Sequence, residues 1–315
     1  MNRIPTQIEL IEARKRLANF IHQTPVFQSK AINEIAGAEL FFKTENFQKM
    51  GAFKMRGAMN ATLQLSEEQQ RKGIATHSSG NFAQAMALSA KLLGIPAWAV
   101  MPSNAPTIKK AAVASYGAKI IECEPTLEAR ENTLIQVVKK HKCTSLHPYN
   151  DYDVIIGNST ATQELLEQVD SLDIIIAPVG GGGLISGTAI AAHYFSPSTK
   201  VIGAEPSLAD DAFRSLETGI IQPALKPLTI ADGLRTSLGD KTFFLIQKFV
   251  QEIQLAEENE IIEAMRLIWE RMKIIVEPSS AITLAIVLKQ KEYFKNKRIG
   301  LILSGGNVDL GKLPF

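Results

Sequence analysis

The stretch Asp173-Ile174-Ile175-Ile176-Ala177-Pro178-Val179-Gly180-Gly181-Gly182-Gly183-Leu184-Ile185-Ser186-Gly187 decides the fold. Ile174 to Ala177 are short, apolar and β-branched, the pattern of a strand covered on both faces. An apolar helix follows. The four glycines between them let backbone amides converge on an anion, which the positive end of the helix also attracts. A flexible connector would not sit tightly between a buried strand and an apolar helix. The stretch therefore predicts a strand-loop-helix unit with a phosphate at the strand end.

The same grammar recurs on either side. Lys200–Ala204 and Arg298–Leu303 read as further buried parallel strands of one sheet. Upstream, strand candidates at Gly73–Thr76, Ala97–Val100, Lys119–Ile121 and Thr144–Leu146 alternate with helical stretches beginning near Asn81, Thr107 and Leu127. That alternation predicts a second parallel sheet. The expected fold class is α/β, two open parallel-sheet domains, with residues 71–148 as a small inserted domain and 1–70 plus 149–315 as the large one. Residues 6 to 22 read as an amphipathic helix with Ile8, Ile11, Leu17 and Ile21 near one face. Glu39–Lys43 reads as a short strand, and helical spacing runs through Met59, Leu63 and Leu65. Ligands of such folds bind at strand ends, here in the cleft between the domains.

Composition narrows the class. At 315 residues the chain is long enough for two cores. Its 34 Lys plus Arg are balanced by 32 Asp plus Glu, dispersed along the chain, which argues against nucleic acid or an acidic membrane as partner. Cys123 and Cys143 have no metal-ligand or CxxC spacing and read as reduced thiols of a cytoplasmic protein. The N-terminus lacks an apolar leader core, and no run approaches the about 18 apolar residues of a membrane span. Secretion and insertion are not expected.

Lys54 carries the expected chemistry. In Asn46-Phe47-Gln48-Lys49-Met50-Gly51-Ala52-Phe53-Lys54-Met55-Arg56-Gly57-Ala58, a lysine amine stands beside an aromatic and a glycine. An amine condenses with an aldehyde to a Schiff base, and its neighbours suit a flat ligand, so Lys54 is read as the holder of pyridoxal 5′-phosphate. The glycine run is no P-loop, because no GKS or GKT follows, and Ser186 breaks the G-x-G-x-x-G register. Glu205, 22 residues after Gly183, stands where a ribose-binding acid would be, which keeps a nicotinamide oxidoreductase as rival. Thr76-His77-Ser78-Ser79-Gly80-Asn81 opens a helix; its hydroxyls and amides suit a substrate carboxylate and Asn81 a ring hydroxyl, or the segment is a plain N-cap. Ser304-Gly305-Gly306-Asn307 follows the last strand as a tight turn or as a serine facing a heteroaromatic nitrogen.

These segments occur in order with Gly51–Ala58, His147-Pro148, Ala231-Asp232-Gly233 and Glu277-Pro278. From about Thr24 to Leu310 the chain resembles the fold-type II, tryptophan synthase β-like pyridoxal-phosphate enzymes, specifically the serine/threonine dehydratase and serine racemase group. The resemblance implies that Lys54 forms the Schiff base and takes the α-proton, and that Phe53 packs beside the ring. It implies Asn81 at the ring hydroxyl, Gly180, Gly181, Gly182 and Gly183 at the phosphate, and Ser304 at the pyridine nitrogen. Ser78, Ser79, Gly80 and Arg130 would meet the substrate, with Ser79 acting from the face opposite Lys54. Glu205, the Ala209 carbonyl and Asp211 match that group's divalent-cation site, and their hard oxygens suit Mg²⁺ or Ca²⁺; acids at a helix N-terminus would look the same.

The implied activity is an ammonia-lyase reaction on serine or threonine, giving a 2-oxo acid and ammonia, with serine racemisation beside it, in a homodimer acting on small amino acids. A 3-hydroxyaspartate dehydratase and a β-replacement enzyme share the same cofactor site. The chain ends soon after Asn307, which favours a catabolic or racemase-like member over one with a regulatory domain. Departures from the group's pattern are Ala52 for Ser, Phe82 for His, and Tyr149-Asn150-Asp151-Tyr152 with Asn158-Ser159. Several of these fall near the expected substrate pocket and bear on substrate identity.

Overall fold

In the computed structural model the described residues are 2–78, 80–105, 107–225 and 227–315, without the side chains of Ile108 and Leu127. The chain runs through α1 (Gln7–Leu17), β1 (Val26–Phe27), α2 (Lys30–Ala36), β2 (Glu39–Thr44), α3 (Lys54–Leu63) and α4 (Glu67–Lys72). Then come β3 (Ile74–His77), α5 (Asn81–Leu93), β4 (Ala97–Pro102), α6 (Thr107–Ser115), β5 (Lys119–Cys123), α7 (Leu127–His141) and β6 (Thr144–Ser145). The rest is α8 (Tyr152–Gln168), β7 (Ile174–Pro178), α9 (Gly183–Phe195), β8 (Lys200–Pro206), α10 (Asp211–Thr218), α11 (Asp240–Phe249), β9 (Glu252–Ala256), α12 (Glu258–Met272), α13 (Pro278–Lys289), α14 (Lys291–Phe294) and β10 (Arg298–Leu303).

Two sheets result. The first has the order β1-β2-β10-β7-β8-β9, and the second β5-β4-β3-β6. All pairings are parallel except β1 against β2, an antiparallel edge that the repeat of strands and helices did not predict. The fold is thus the expected α/β arrangement of two parallel sheets. Helices cover both faces of the first sheet, with Ile261, Ile282 and Ile286 packed on one side and Ile185, Ala189 and Ile246 on the other. Such double coverage is why the central strands read as unbroken apolar runs.

Local signals set the ends of the elements. Thr6 and Glu9 form a capping box at α1, Asp151 accepts from the first amides of α8, and α13 opens with Pro278 after Glu277. The first helix corrects the sequence reading. It stops at Leu17 and buries Leu10, Ala13 and Leu17, whereas Ile8 is 71% and Ile11 38% exposed. Leu10 lies two residues on from Ile8, roughly 200° around the helix, so of the residues expected to face inward Leu17 is on the buried side and Ile8 and Ile11 are off it. Ile21 packs on Met55 and Met59 after the helix has ended. Leu65 lies beyond the end of α3.

One buried cluster ties α3 to its surroundings. Arg56 donates to both oxygens of Glu45 at 2.7 and 2.8 Å and to both of Glu164 at 2.8 and 2.7 Å, and Lys43 also donates to Glu164 at 2.7 Å. Burial works against the charge on Arg56, but the two carboxylates override it and hold the guanidinium charged. Two cations meet two anions, so this sealed group carries no net charge. It stands one turn into the helix that begins at Lys54.

Candidate active site

Lys54 is placed by a turn that most residues avoid. Met50 and Gly51 have φ of 56° and 77°, and a Cβ on Gly51 would stand 2.8 Å from Asn307 Oδ1. The chain then pairs with the loop after β10: Gly306 N–H donates to the Gly51 carbonyl and Phe53 N–H to the Ser304 carbonyl, each at 2.9 Å. These bonds set the start of α3 beside the Ser304 loop. The half-buried Lys54 amine donates to the Pro148 carbonyl at 2.9 Å and lies 4.9 Å from the ring centre of Phe53 and 5.8 Å from that of Phe82. Burial among rings pushes its pKa down to about 8, against a smaller opposing pull from Glu277.

The glycine run is a cradle without room for side chains. A Cβ on Gly181 would come within 2.4 Å of the Tyr149 ring, on Gly180 within 2.9 Å of the Leu234 backbone, and on Gly182 within 2.8 Å of Thr242. Gly182 has φ of 85° and precedes α9, whose N-terminus has no side-chain cap. An uncapped, 13-residue helix after a bare loop offers amides and a positive dipole to a phosphate. These residues fit the phosphate of the expected cofactor.

A cavity of about 450 Å³ brings the candidates together. Phe53, Lys54, Gly180 to Gly183 and Ser304 line it, as do Ser78, Gly80, Asn81 and Arg130. Its volume is ordinary for a cofactor with a small substrate. Ser79 lies outside the described residues. Glu205, Ala209 and Asp211 do not line the cavity; they sit at and just beyond the end of β8. The Glu205 oxygens accept from the amides of Ala212 and Phe213 at 2.8 and 2.7 Å, so this buried acid is turned away from the cleft where a ribose would bind. Neither buried oxygen of Asp211 has a well-formed hydrogen bond among the described residues, and burial, weakly opposed by the nearby Asp211 and Leu238 amides, pushes that carboxyl up to about 7.

The structure adds residues to which the sequence reading gave no role. Tyr149 lays its ring against Gly181 and its Cβ and backbone against Gly183, and it lines the cavity. Glu277, 5% exposed, accepts from the Asn81 amide at 3.1 and 3.2 Å; burial pushes its carboxyl up to about 7, with Asp232 adding to the effect. Lys109 of α6 pairs with Asp232, in the turn Asp232–Leu234, so one ion pair joins the two sheets' helical layers beside the cavity. His147 Nδ1 accepts from the amides of Tyr149 and Asn150 at 3.3 and 2.9 Å, and burial, aided by His77 and Lys54, lowers its pKa to about 4. It is therefore a neutral ring carrying its proton on Nε2. Glu277-Pro278 and Asp232 stood in quoted motifs, but nothing in the sequence revealed which atoms they face.

An amine of lowered pKa and a bare phosphate cradle, facing one another across a cleft between parallel sheets, define an enzyme that keeps an aldehyde cofactor on a lysine. A family model described as Pyridoxal-phosphate dependent enzyme matches residues 17–305, and the chain belongs to that family. A serine racemase of Dictyostelium discoideum is 50% identical over 97% of this chain and 95% of its own length. A beta-hydroxyaspartate dehydratase of Paracoccus denitrificans (strain Pd 1222) is 49% identical over 99% of each chain. The crystal structure of the Dictyostelium discoideum serine racemase superposes with a TM-score of 0.93, covering 97% of this chain and 99% of that one.

Proposed function

We propose that the protein is a pyridoxal-phosphate-dependent ammonia-lyase that converts β-hydroxy amino acids of the serine and threonine type to a 2-oxo acid and ammonia, with serine racemisation as a second outcome. One observation supports this above all: Lys54, the four glycines and Ser304 line the same cavity. Relatives named serine racemase and beta-hydroxyaspartate dehydratase, near half identity and full length, support the substrate class.

Bound on Lys54, pyridoxal phosphate supplies an electron sink for the pair left behind when an α-proton departs. Lys54, its pKa lowered to about 8, keeps a neutral fraction near pH 7 that can take that proton. Phe53 and Phe82 exclude water from the amine, and the amides of Gly180 to Gly183 hold the phosphate. Ser280 Oγ gives its proton to the Gly305 carbonyl at 2.6 Å, so in its 3.1 Å contact with Ser304 Oγ it can only accept. Ser304 is thus an uncharged hydroxyl whose single proton can go to Ser280 or to a ring nitrogen, but not to both. Such a hydroxyl at the ring nitrogen does little to hold that nitrogen protonated, which favours prompt loss of the β-hydroxyl. Ser79 is the proposed proton donor on the opposite face, on the strength of the sequence motif alone.

A substrate with a second carboxylate, 3-hydroxyaspartate, is favoured by Arg130. Its half-buried guanidinium lines the cavity and has no hydrogen-bond or ion-pair partner among the described residues. Nδ1 of His77, on the same wall, is buried and also without a partner. Arg130→Gln should raise KM for 3-hydroxyaspartate roughly tenfold to a hundredfold, the worth of a charge-assisted bond, and leave KM for L-serine nearly unchanged.

The reading includes Mg²⁺ or Ca²⁺ at Glu205, the Ala209 carbonyl and Asp211. No cluster of three His, Cys, Asp or Glu that could hold a metal occurs among the described residues, and this set has two carboxylates and a carbonyl. Its support is the Asp211 carboxylate, which lacks a well-formed hydrogen bond among the described residues, beside the buried Glu205, whose carboxyl is held well above the usual range by burial and by Asp211. Mg²⁺ should raise Tm of the wild type and leave that of Asp211→Asn unmoved.

No helix among the described residues is long and apolar enough to cross a membrane. The reading takes 71–148 as the small domain and the protein as a cytoplasmic homodimer, the latter checked by light scattering. The deciding assay offers L-serine, D-serine, L-threonine and 3-hydroxyaspartate to the purified protein and follows 2-oxo acid, ammonia and product chirality. Turnover lost in Lys54→Ala supports the proposal; absence of 2-oxo acid and racemisation with all four overturns it.

A further inference from the structure

Asn81 sits at the N-terminus of α5, on the side of the four-stranded sheet, yet both ends of its amide are bonded to residues carried by the six-stranded sheet. Its Nδ2 donates to Glu277 Oε1 and Oε2 at 3.1 and 3.2 Å, and its Oδ1 accepts from Asn307 Nδ2 at 2.9 Å. Asn307 Nδ2 also donates to the Met50 carbonyl at 2.9 Å. The order of these bonds fixes their direction. A backbone carbonyl can only accept, so Asn307 must turn its nitrogen toward Met50; its second N–H then goes to the oxygen of Asn81. Asn81 is left with its nitrogen toward Glu277, where a single N–H forked between the two carboxylate oxygens accounts for both contacts, and Asn81 lines the cavity.

We infer that Glu277 and Asn307 are positioning residues that hold the amide of Asn81 with an N–H presented to the cofactor ring, and that the same bonds fasten the start of α5 to the turn before Lys54. The inference rests on the reading that Asn81 meets the ring. Its own content is the relay Met50 carbonyl, Asn307, Asn81, Glu277. The relay joins the strained Met50-Gly51 turn, which places Lys54, to the residue expected at the other edge of the same ring. Loading of the cofactor and docking of α5 are therefore one event.

The test uses holoenzyme and its cofactor-depleted form for Asn81→Ala, Asn307→Ala, the double variant, Glu277→Ala and Glu277→Gln. Pyridoxal phosphate affinity is measured by fluorescence titration, the visible absorption band of the bound cofactor is recorded, and hydrogen exchange is followed at the first turn of α5. Asn307→Ala and Glu277→Ala should each weaken cofactor binding about tenfold, the scale of lost supporting contacts around a bound group. Both should shift the band in the direction seen for Asn81→Ala. Glu277→Gln, which keeps an acceptor for Asn81, should restore both. The double variant should lose less than the sum of the two single losses, since both singles break the same bond between Asn307 and Asn81. Cofactor binding should slow exchange at α5 in the wild type, and less so in Asn307→Ala.

If Asn81→Ala alters affinity and band while Asn307→Ala and Glu277→Ala alter neither, the positioning role is overturned and the reading of Asn81 stands. If Asn81→Ala itself alters neither, that reading fails and takes the inference with it. Additive losses in the double variant overturn the relay even if each single variant is impaired.

Discussion

At the scale of single residues, burial sets the chemistry. Lys54 lies among aromatic rings with only Glu277 opposing the cost of its charge, and its pKa is near 8 in place of 10.5. The neutral amine is the form that attacks an aldehyde. The rate at which cofactor-depleted protein regains its visible band on mixing with pyridoxal phosphate should therefore rise with pH and pass half its maximum near 8. A midpoint near 10.5 in stopped-flow traces would show that the cavity does not desolvate this lysine. That Lys54, Ser304 and Asn81 would line one cavity was legible in the sequence, because each stands in a short segment with its own chemical logic. Tyr149, Glu277 and Lys109 were not legible, because their roles come from what faces them across the fold. Tyr149 gained its place only when the glycine faces it covers were brought against it.

At the scale of elements, the loop between β7 and α9 was the most readable part of the chain. Four consecutive glycines between an apolar strand and an apolar helix leave few structural alternatives, and the strand, Ile174–Pro178, fell within a residue of expectation. Gly181→Ala should weaken pyridoxal phosphate binding by about tenfold or more, because a Cβ 2.4 Å from the Tyr149 ring forces cradle or ring to move. Fluorescence titration of the cofactor-depleted variant checks this, and unchanged affinity would mean the phosphate lies elsewhere. The edges of the large sheet were less readable. β1 is two residues long, and β9, Glu252–Ala256, carries polar residues among its apolar ones as edge strands do. The face of α1 was half misjudged for a related reason: Leu17 is buried as expected, but Ile8 and Ile11 share the spacing of Leu10 and Ala13, and only packing on α8 and α9 tells those two stripes apart.

At the scale of the whole molecule, one partly exposed ion pair, Lys109 with Asp232, bridges the cleft, and that matters for turnover. Lys109 and Asp232 are 25% and 42% exposed in their side chains, so the pair is worth at most about 1 kcal/mol and is screened by salt. KM should rise a few-fold between low and physiological ionic strength in the wild type, and Asp232→Asn should start from the raised value and respond to salt much less. Equal salt dependence in both would remove the pair from any part in closing the cleft. Arg56, Lys43, Glu45 and Glu164 act at the other extreme. Burial resists the charge of Glu164, but Arg56 and Lys43 hold its carboxyl below the usual range. Its contribution to stability is therefore present above about pH 4.5 and is lost as pH falls through the lower, folded value. Protonation then leaves two buried cations, Arg56 and Lys43, with Glu45 as the one remaining carboxylate of the cluster, and breaking a buried pair costs roughly 3–5 kcal/mol. Since Arg56 sits in the first turn after Lys54, acid denaturation should release the cofactor and melt the helices in a single transition, with fluorescence and circular dichroism midpoints superimposed. A vesicle or organelle more acidic than that threshold would switch such an enzyme off by dismantling it, and neutralisation would have to refold the chain before any activity returned.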